Sequence, residues 1–311
     1  MHNKLKTVVV IPCYNEEQTI GKVVSDFKKE LPESEIYVMN NRSTDKSAEL
    51  AEAAGALVMW VGRQGKGSVV REIFRKIDAD IYVMIDGDDT YPALAVHELM
   101  KPVIDGAAEM VVGDRLSKGY YAVQNKRNFH NFGNHLVKKL VNLCFKSSLK
   151  DIMSGYRVFS KLFVKNVPIL SDGFEVETEM TILCLDRKLD IVEIPIEYRD
   201  RPAGSYSKLN TVKDGFRVLM TIFIILKNYR PLFFFGSISL ILFFLGLITG
   251  IPVLLEFLRT RYVTHIPLSI LATGLMITSG LSITSGFILD TLVAHERQRN
   301  EVDLLKTLRV K

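Results

Sequence analysis

The sequence predicts an α/β domain with a mostly parallel sheet, followed by a pair of membrane-spanning helices. Three observations carry this. Short β-branched runs alternate with amphipathic stretches four times within the first third of the chain, the pattern of a parallel sheet covered by helices. The fourth run ends in Asp86-Gly87-Asp88-Asp89, carboxylates at the kind of strand end where open α/β sheets collect ligands. Residues 232–255 and 266–289 hold no charged side chain, and each stretch exceeds the roughly 20 residues an α-helix needs to cross a bilayer.

Bulk properties narrow the class. At 311 residues, 48% hydrophobic and 24% charged, the chain has room for one large domain or two smaller ones. A net charge of +5 is too modest for a dedicated nucleic-acid binder, and no nucleic-acid partner is expected. Cys13, Cys144 and Cys184 are odd in number and form no CxxC pair, which argues against a disulfide framework or a zinc site and fits a reducing compartment. The apolar run Val8 to Ile11 is too short for a signal peptide, so export of this domain is not expected.

In chain order, Thr7 to Ile11 is the first buried strand, then Pro12-Cys-Tyr-Asn-Glu16 leads to a helix from about Thr19 to Leu31. Ile36 to Met39 is the second strand, and Ser43 or Thr44 is placed to cap a helix through about Ala54. Ala56 to Val61 is the third strand, Gly62 to Gly67 a loop, and Ser68 to Ile77 a helix. Ile81 to Ile85 completes the alternation. Beyond the acidic cluster come a strand at Met110 to Val112 and a helix from Arg127 to Phe145, with Phe132, Leu136, Leu140 and Leu143 on one face. Ile191 to Tyr198 is a further strand, and Pro195 favours an edge position. Thr211 to Tyr229 has apolar residues at helical spacing interleaved with Lys213, Arg217 and Lys227, which suits a helix in the membrane interface or, equally, a core helix.

Two familiar phosphate motifs are absent. A P-loop would need Gly and Ser or Thr where Trp60 and Gly67 stand, and no G-x-G-x-x-G follows the first strand. The glycines at 62, 65 and 67 would still let backbone approach an anion, with Lys66 adding charge. Clustered carboxylates such as Asp86 and Asp88 repel one another, and a hard cation relieves that repulsion while leaving positions for phosphate oxygens. A solvated acidic turn is the plain alternative.

Taken together, Pro12 to Glu16, Asn40 to Asp45, Arg63 to Gly67 and Asp86-Gly87-Asp88, each after its strand, resemble the family 2 glycosyltransferases. Val112 to Arg115, Asp151-Ile-Met-Ser-Gly-Tyr-Arg157 and Arg201 to Lys208 are similar to its polyprenyl-phosphate branch, which includes dolichol-phosphate mannose and glucose synthases. The resemblance implies a Rossmann-like, GT-A type domain and inverting sugar transfer from a nucleotide sugar to a polyprenyl phosphate. It implies Mg²⁺ or Mn²⁺ on Asp86 and Asp88. It also implies donor contacts from Pro12, Tyr14, Asn15, Glu16, Asn40, Asn41, Lys66, Asp86 and Gly87. Arg115 and Asp151 join Asp88 as catalytic candidates, with Asp151 either a base or a positioning group. An alternative for Asp151 is a structural ion pair with Arg157. The cations Arg127, Arg157, Arg199, Arg201 and Lys208, with Ser207, are candidates for the acceptor phosphate. One departure stands out: Asn40-Asn41 replaces the family's usual Asp-Asp. An Asn amide can still pair with a base edge or hydroxyl, which keeps nucleotide binding open and leaves the base undecided. Resemblance to bacterial members of the family implies a UDP-sugar (glucose or N-acetylglucosamine), with GDP-mannose the alternative. A catalytically idle nucleotide-sugar-binding module is the reading from another class. A processive synthase is disfavoured because Trp60 is the sole tryptophan.

The expected organisation is a glycosyltransferase domain over 1–210, juxtamembrane helices over 211–230, a transmembrane hairpin over 231–290 and a tail over 291–311. Nine Lys or Arg residues flank the hairpin, against two between its spans, so the positive-inside rule puts both termini in the cytoplasm. Self-association through the membrane helices is expected by resemblance.

Overall fold

The computed structural model describes residues 5–117, 128–173, 175–199, 220 and 223–309. The first four strands are β1 (Thr7–Cys13), β2 (Glu35–Asn40), β3 (Leu57–Trp60) and β4 (Ile81–Met84), separated by α1 (Ile20–Glu30), α2 (Ser47–Ala53) and α3 (Lys66–Lys76). After them come α4 (Val96–Ile104), β5 (Met110–Asp114), α5 (Asn128–Phe145), β6 (Arg157–Ser160), α6 (Lys161–Asn166), α7 (Val176–Asp186) and β7 (Ile191–Pro195). They form one seven-stranded sheet in the order β3-β2-β1-β4-β6-β5-β7. Every pairing is parallel except those of β6, which runs against both β4 and β5. β7 lies at the sheet edge, where the proline that closes it removes no ladder bond from an inner strand.

Strand alternation splits the core into two layers. Val9, Ile11, Val38 and Val83 face Val24 and Phe27 of α1 and Leu99 of α4. Val8, Val10, Tyr82 and Met84 face Val70 and Ile73 of α3, Phe163 of α6 and Met180 of α7. Because β1 pairs with β2 on one side and β4 on the other, the chain reverses its direction of travel across the sheet between β1 and β4. The crevice at their carboxyl ends is where such sheets bind ligands. Thr19 ties this crevice shut at its base, donating to the Gly87 carbonyl at 2.6 Å.

Several local expectations shift. The N-cap of α2 is Lys46 rather than Ser43 or Thr44, and just ahead of it Asp45 accepts from Ser47 N at 3.0 Å. On α5 the buried side chains include Val137, Val141 and Cys144, while Leu136 and Leu143 are exposed, so the packed face is rotated from the leucine stripe.

A second compact unit comprises residues 219–302. It holds helical backbone at 223–229, then α8 (Pro231–Thr260) and most of α9 (Ile266–Arg309), both long and apolar enough to cross a membrane. Pro231 occupies the first turn, where its missing N–H costs nothing, and Arg261 in the left-handed region (φ 61°) ends α8. Small residues let the helices approach: a Cβ on Gly246 would press on Met276 and one on Gly286 on Phe235. Ser239 and Ser279 donate to each other's carbonyls at 2.9 Å. Residues 291–309 continue α9 without a break; that stretch contains neither Gly nor Pro, so nothing local ends the helix where its apolar part does.

Candidate active site

The acids after β4 differ sharply in their partners. Asp89, at φ 56°, turns back to Lys22 of α1 at 2.7 Å. Asp88 is 4% exposed and accepts Thr90 Oγ1 at 2.6 Å. Asp86 forms an ion pair with Lys66, the first residue of α3. The same ammonium reaches Glu177 of α7 at 2.5 Å. Burial works against the charge on Lys66, but Asp86 and Glu177 outweigh it and hold its pKa above the ordinary lysine value. Gly155 lies so close to the Asp86 carboxylate that any Cβ there would strike it. One ammonium therefore meets two carboxylates, with Asp88 two residues along the same turn.

The β1 and β2 loops are knitted together beside this cluster. Asn15, at φ 53°, donates its N–H to Ser43 Oγ at 3.0 Å and accepts from Thr44 N at 2.8 Å. Glu16 N donates to Ser47 Oγ at 2.8 Å, and Pro12 and Tyr14 flank the same turn, partly exposed. Asn40 and Asn41, expected together on the nucleotide, part company. Asn40 accepts from Ser43 N at 2.9 Å, and its buried Nδ2 finds no partner among the described residues. Asn41 donates to the Arg63 carbonyl at 2.8 Å and accepts from Gly65 N at 2.7 Å. Both ends of its amide thus bind the β3–α3 loop.

The glycines of that loop need a correction too. A Cβ at Gly65 or Gly67 would run into the carbonyls of Asp172 and Ser171. Gly67 N donates to Asp172 O and Gly173 O, each at 3.1 Å. These two glycines admit a neighbouring protein segment rather than an anion.

A second constellation follows β5. Arg115, just after β5, grips Asp151 through Nε and Nη2 at 2.7 and 3.0 Å and adds its backbone N–H at 3.2 Å. Its guanidinium lies 5.5 Å from the centre of the Tyr198 ring. Burial pushes the Asp151 carboxyl up, but Arg115 more than offsets it and holds the pKa below the usual carboxylate range. Met153 N also donates to Asp151. Engaged in this way, the carboxylate holds the Arg115 guanidinium in one orientation. Glu193 of β7 supports it from behind, accepting Asp151 N at 2.7 Å and Lys150 N at 2.8 Å.

Arg157, expected on the acceptor phosphate, is fully buried. It donates to the carbonyls of Ser154 and Ile152 at 2.9 and 2.8 Å and to Thr181 at 3.0 Å. It is a core residue that shapes the 151–155 loop, and Asp151 pairs with Arg115 instead. Arg199 is exposed, and its N–H donates to the Thr90 carbonyl at 2.8 Å, which brings it beside the acidic turn. Arg127, Arg201, Ser207 and Lys208 lie outside the described residues. Sequence reasoning missed Glu177. In the run Glu175-Val-Glu177-Thr-Glu179, the middle acid is the one that meets Lys66.

The sequence profile described as Glycosyl transferase family 2 matches residues 8–167. Glycosyltransferase AglJ of Haloferax volcanii is 30% identical over 300 residues, 96% of this chain and 97% of that protein. The dolichyl-phosphate hexose transferase of the same organism is 29% identical over 207 residues, 67% of this chain and 88% of the relative. Glucosyl-3-phosphoglycerate synthase from Mycobacterium tuberculosis, solved with Mn²⁺, uridine diphosphate and phosphoglyceric acid, matches with a TM-score of 0.58 at 23% identity, over 70% of this chain and 77% of that one. That last likeness speaks to the fold. With a GT-A type sheet, an acidic turn at its crevice and these relatives, the chain belongs to glycosyltransferase family 2 and is a sugar-transferring enzyme.

Proposed function

We propose that the chain transfers a hexose or N-acetylhexosamine, with inversion, from a UDP-sugar to a polyprenyl phosphate at the cytoplasmic face of a membrane. One observation carries the reading: acids gathered at the sheet crevice occur in the same chain as two helices of membrane length. The resemblance in the polyprenyl-phosphate motifs and the printed name of the dolichyl-phosphate hexose transferase support the acceptor. The uridine donor rests on motif resemblance, with UDP-glucose or UDP-N-acetylglucosamine favoured and GDP-mannose the alternative.

A divalent cation fits the residues present. Among the described residues no group of three or more His, Cys, Asp or Glu forms a ready cage. Mg²⁺ or Mn²⁺ in nucleotide enzymes is held by one or two carboxylates plus phosphate oxygens, and Asp86 and Asp88 can supply those. Bound there, the ion would neutralise the departing diphosphate. The protein's share of the chemistry is positioning. An acceptor phosphate oxygen forms the new bond to the anomeric carbon as the bond to the diphosphate breaks. A phosphate monoester is already ionised near neutral pH, so no base has to take a proton, in keeping with the engaged state of Asp151. Arg115, oriented by Asp151, offsets charge repulsion between the two phosphates, and Arg199 stands on the acceptor side of the turn.

In the proposed topology both termini are cytoplasmic, the catalytic domain over 1–210 is followed by interface helices over 211–230, the hairpin over 231–290 and the tail over 291–311, and copies self-associate through the hairpin. A cysteine introduced at position 263 should label from outside intact cells and one at 305 should not; the reverse pattern overturns the orientation. The enzymatic test offers membranes containing the protein polyprenyl phosphate and a panel of radiolabelled nucleotide sugars. Label from one UDP-sugar should enter the lipid extract and stop entering it with EDTA. No lipid label from any donor, or undiminished label in verified metal-free buffer, would refute the acceptor or the cation respectively.

A further inference from the structure

Residues 169–172 are held from both sides by oppositely charged side chains that the reaction itself does not use. From α3, Arg71 donates Nε to Ile169 O at 2.8 Å and Nη2 to Leu170 O at 2.7 Å, Ser171 O at 3.0 Å and the Asp172 carboxylate at 3.2 Å. From α7, Glu179 accepts Leu170 N at 2.9 Å, Ser171 N at 3.0 Å and Ser171 Oγ at 2.5 Å. The carbonyl side of the segment meets a cation and its amide side an anion. Both sets are charge-assisted, the stronger kind of hydrogen bond.

What this segment touches gives the clamp its significance. Its carbonyls fill the space beside Gly65 and Gly67, and Gly67 N donates to it. Lys66 stands between those glycines and carries the ammonium that meets Asp86 and Glu177. Glu177 and Glu179 share α7, and Lys66 and Arg71 share α3. The two helices are therefore joined twice, once in the site through Lys66 and Glu177 and once behind it through the clamped segment. We propose that Arg71 and Glu179 are positioning residues: by clamping residues 169–172 between α3 and α7 they hold Lys66 aimed at Asp86 and Glu177. This rests on the reading that Lys66 serves the donor side of the reaction. Arginine suits this role because its guanidinium presents several donors in a fixed plane, and here Nε and Nη2 reach three successive carbonyls.

The test is steady-state kinetics of the full-length protein in membranes, with donor and acceptor varied separately, on Lys66→Ala, Arg71→Ala, Glu179→Gln and the double variant Lys66→Ala/Arg71→Ala. Lys66→Ala should lower kcat/KM for the nucleotide sugar about 100-fold. Arg71→Ala should raise the donor KM roughly 10-fold with acceptor KM within about twofold, and Glu179→Gln should do the same more weakly. In the double variant Arg71→Ala should add less than about a twofold loss, because Lys66 no longer needs aiming. If Arg71→Ala fails to fold, Glu179→Gln carries the same KM comparison. Unchanged donor KM in the clamp variants, equal shifts for donor and acceptor, or losses that multiply in the double variant would overturn the proposal. A Lys66→Ala enzyme with normal kinetics would remove the donor reading of Lys66 and the inference with it.

Discussion

Lys66 meets two carboxylates, Asp86 and Glu177, whereas Arg115 grips both oxygens of Asp151 through Nε and Nη2. Both constellations are largely buried and both lie at the carboxyl edge of the sheet. Their charge balance differs. The Arg115 pair is neutral, bidentate and backed by Glu193, an arrangement that holds a cation in one orientation. The Lys66 cluster keeps excess negative charge, with Asp88 adjacent, and such an excess invites a further cation. In the proposed reaction this difference leaves Arg115 preset by its carboxylate, while the Lys66 side receives the nucleotide sugar and the metal.

Breaking the unbalanced side should have the largest effect. Asp88→Asn keeps an acceptor for Thr90 but removes the charge, and turnover should fall at least about 10³-fold. The unfolding midpoint in detergent should move by less than about 4 °C. Retained activity would mean that the charge excess has no part in the reaction. On the balanced side, Arg115→Ala strands a buried carboxylate and should destabilise the domain by about 3–5 kcal/mol. Asp151→Asn should cost less in the same thermal assay. Equal losses would argue that the pair is not held as its geometry indicates.

Arg157→Met sharpens the comparison differently. It leaves the Ser154 and Ile152 carbonyls without their donor and should cost about 1–3 kcal/mol of stability, while the acceptor KM stays unchanged. A raised acceptor KM at full stability would return Arg157 to the phosphate site. Acidification supplies a further test. The Asp151 carboxyl is held below its ordinary value of 3.8, so its contribution is full above that pH and is lost as pH falls toward the lowered value in the folded protein. Asp151→Asn should flatten this part of the acid-unfolding curve. The smallest effect belongs to the helical hairpin, where Ser239→Ala removes a hydrogen bond between α8 and α9 and should cost only about 0.6 kcal/mol.

Local pattern alone determined a good deal. Four β-branched runs separated by amphipathic stretches specified β1 to β4 and the helices between them, because the side-chain periods of strand and helix are legible over a few residues. The antiparallel β6 was not read from the sequence. Two uncharged stretches specified α8 and α9, since apolar length has few other uses. The acidic turn was visible at the end of its strand. The tertiary structure decided which charges meet. Lys66, Asp86 and Glu177 come from three separated segments, and no spacing rule reveals that the middle glutamate of Glu175-Val-Glu177-Thr-Glu179 is the one turned inward. Arg157 looked like an anion binder until packing placed it among carbonyls in the core. Gly65 and Gly67 looked like a phosphate cradle until residues 171 and 172 filled the space. Sequence records which groups can pair, but a partner is set by long-range packing and by the cost of leaving a buried charge unpaired, and only the folded chain decides both.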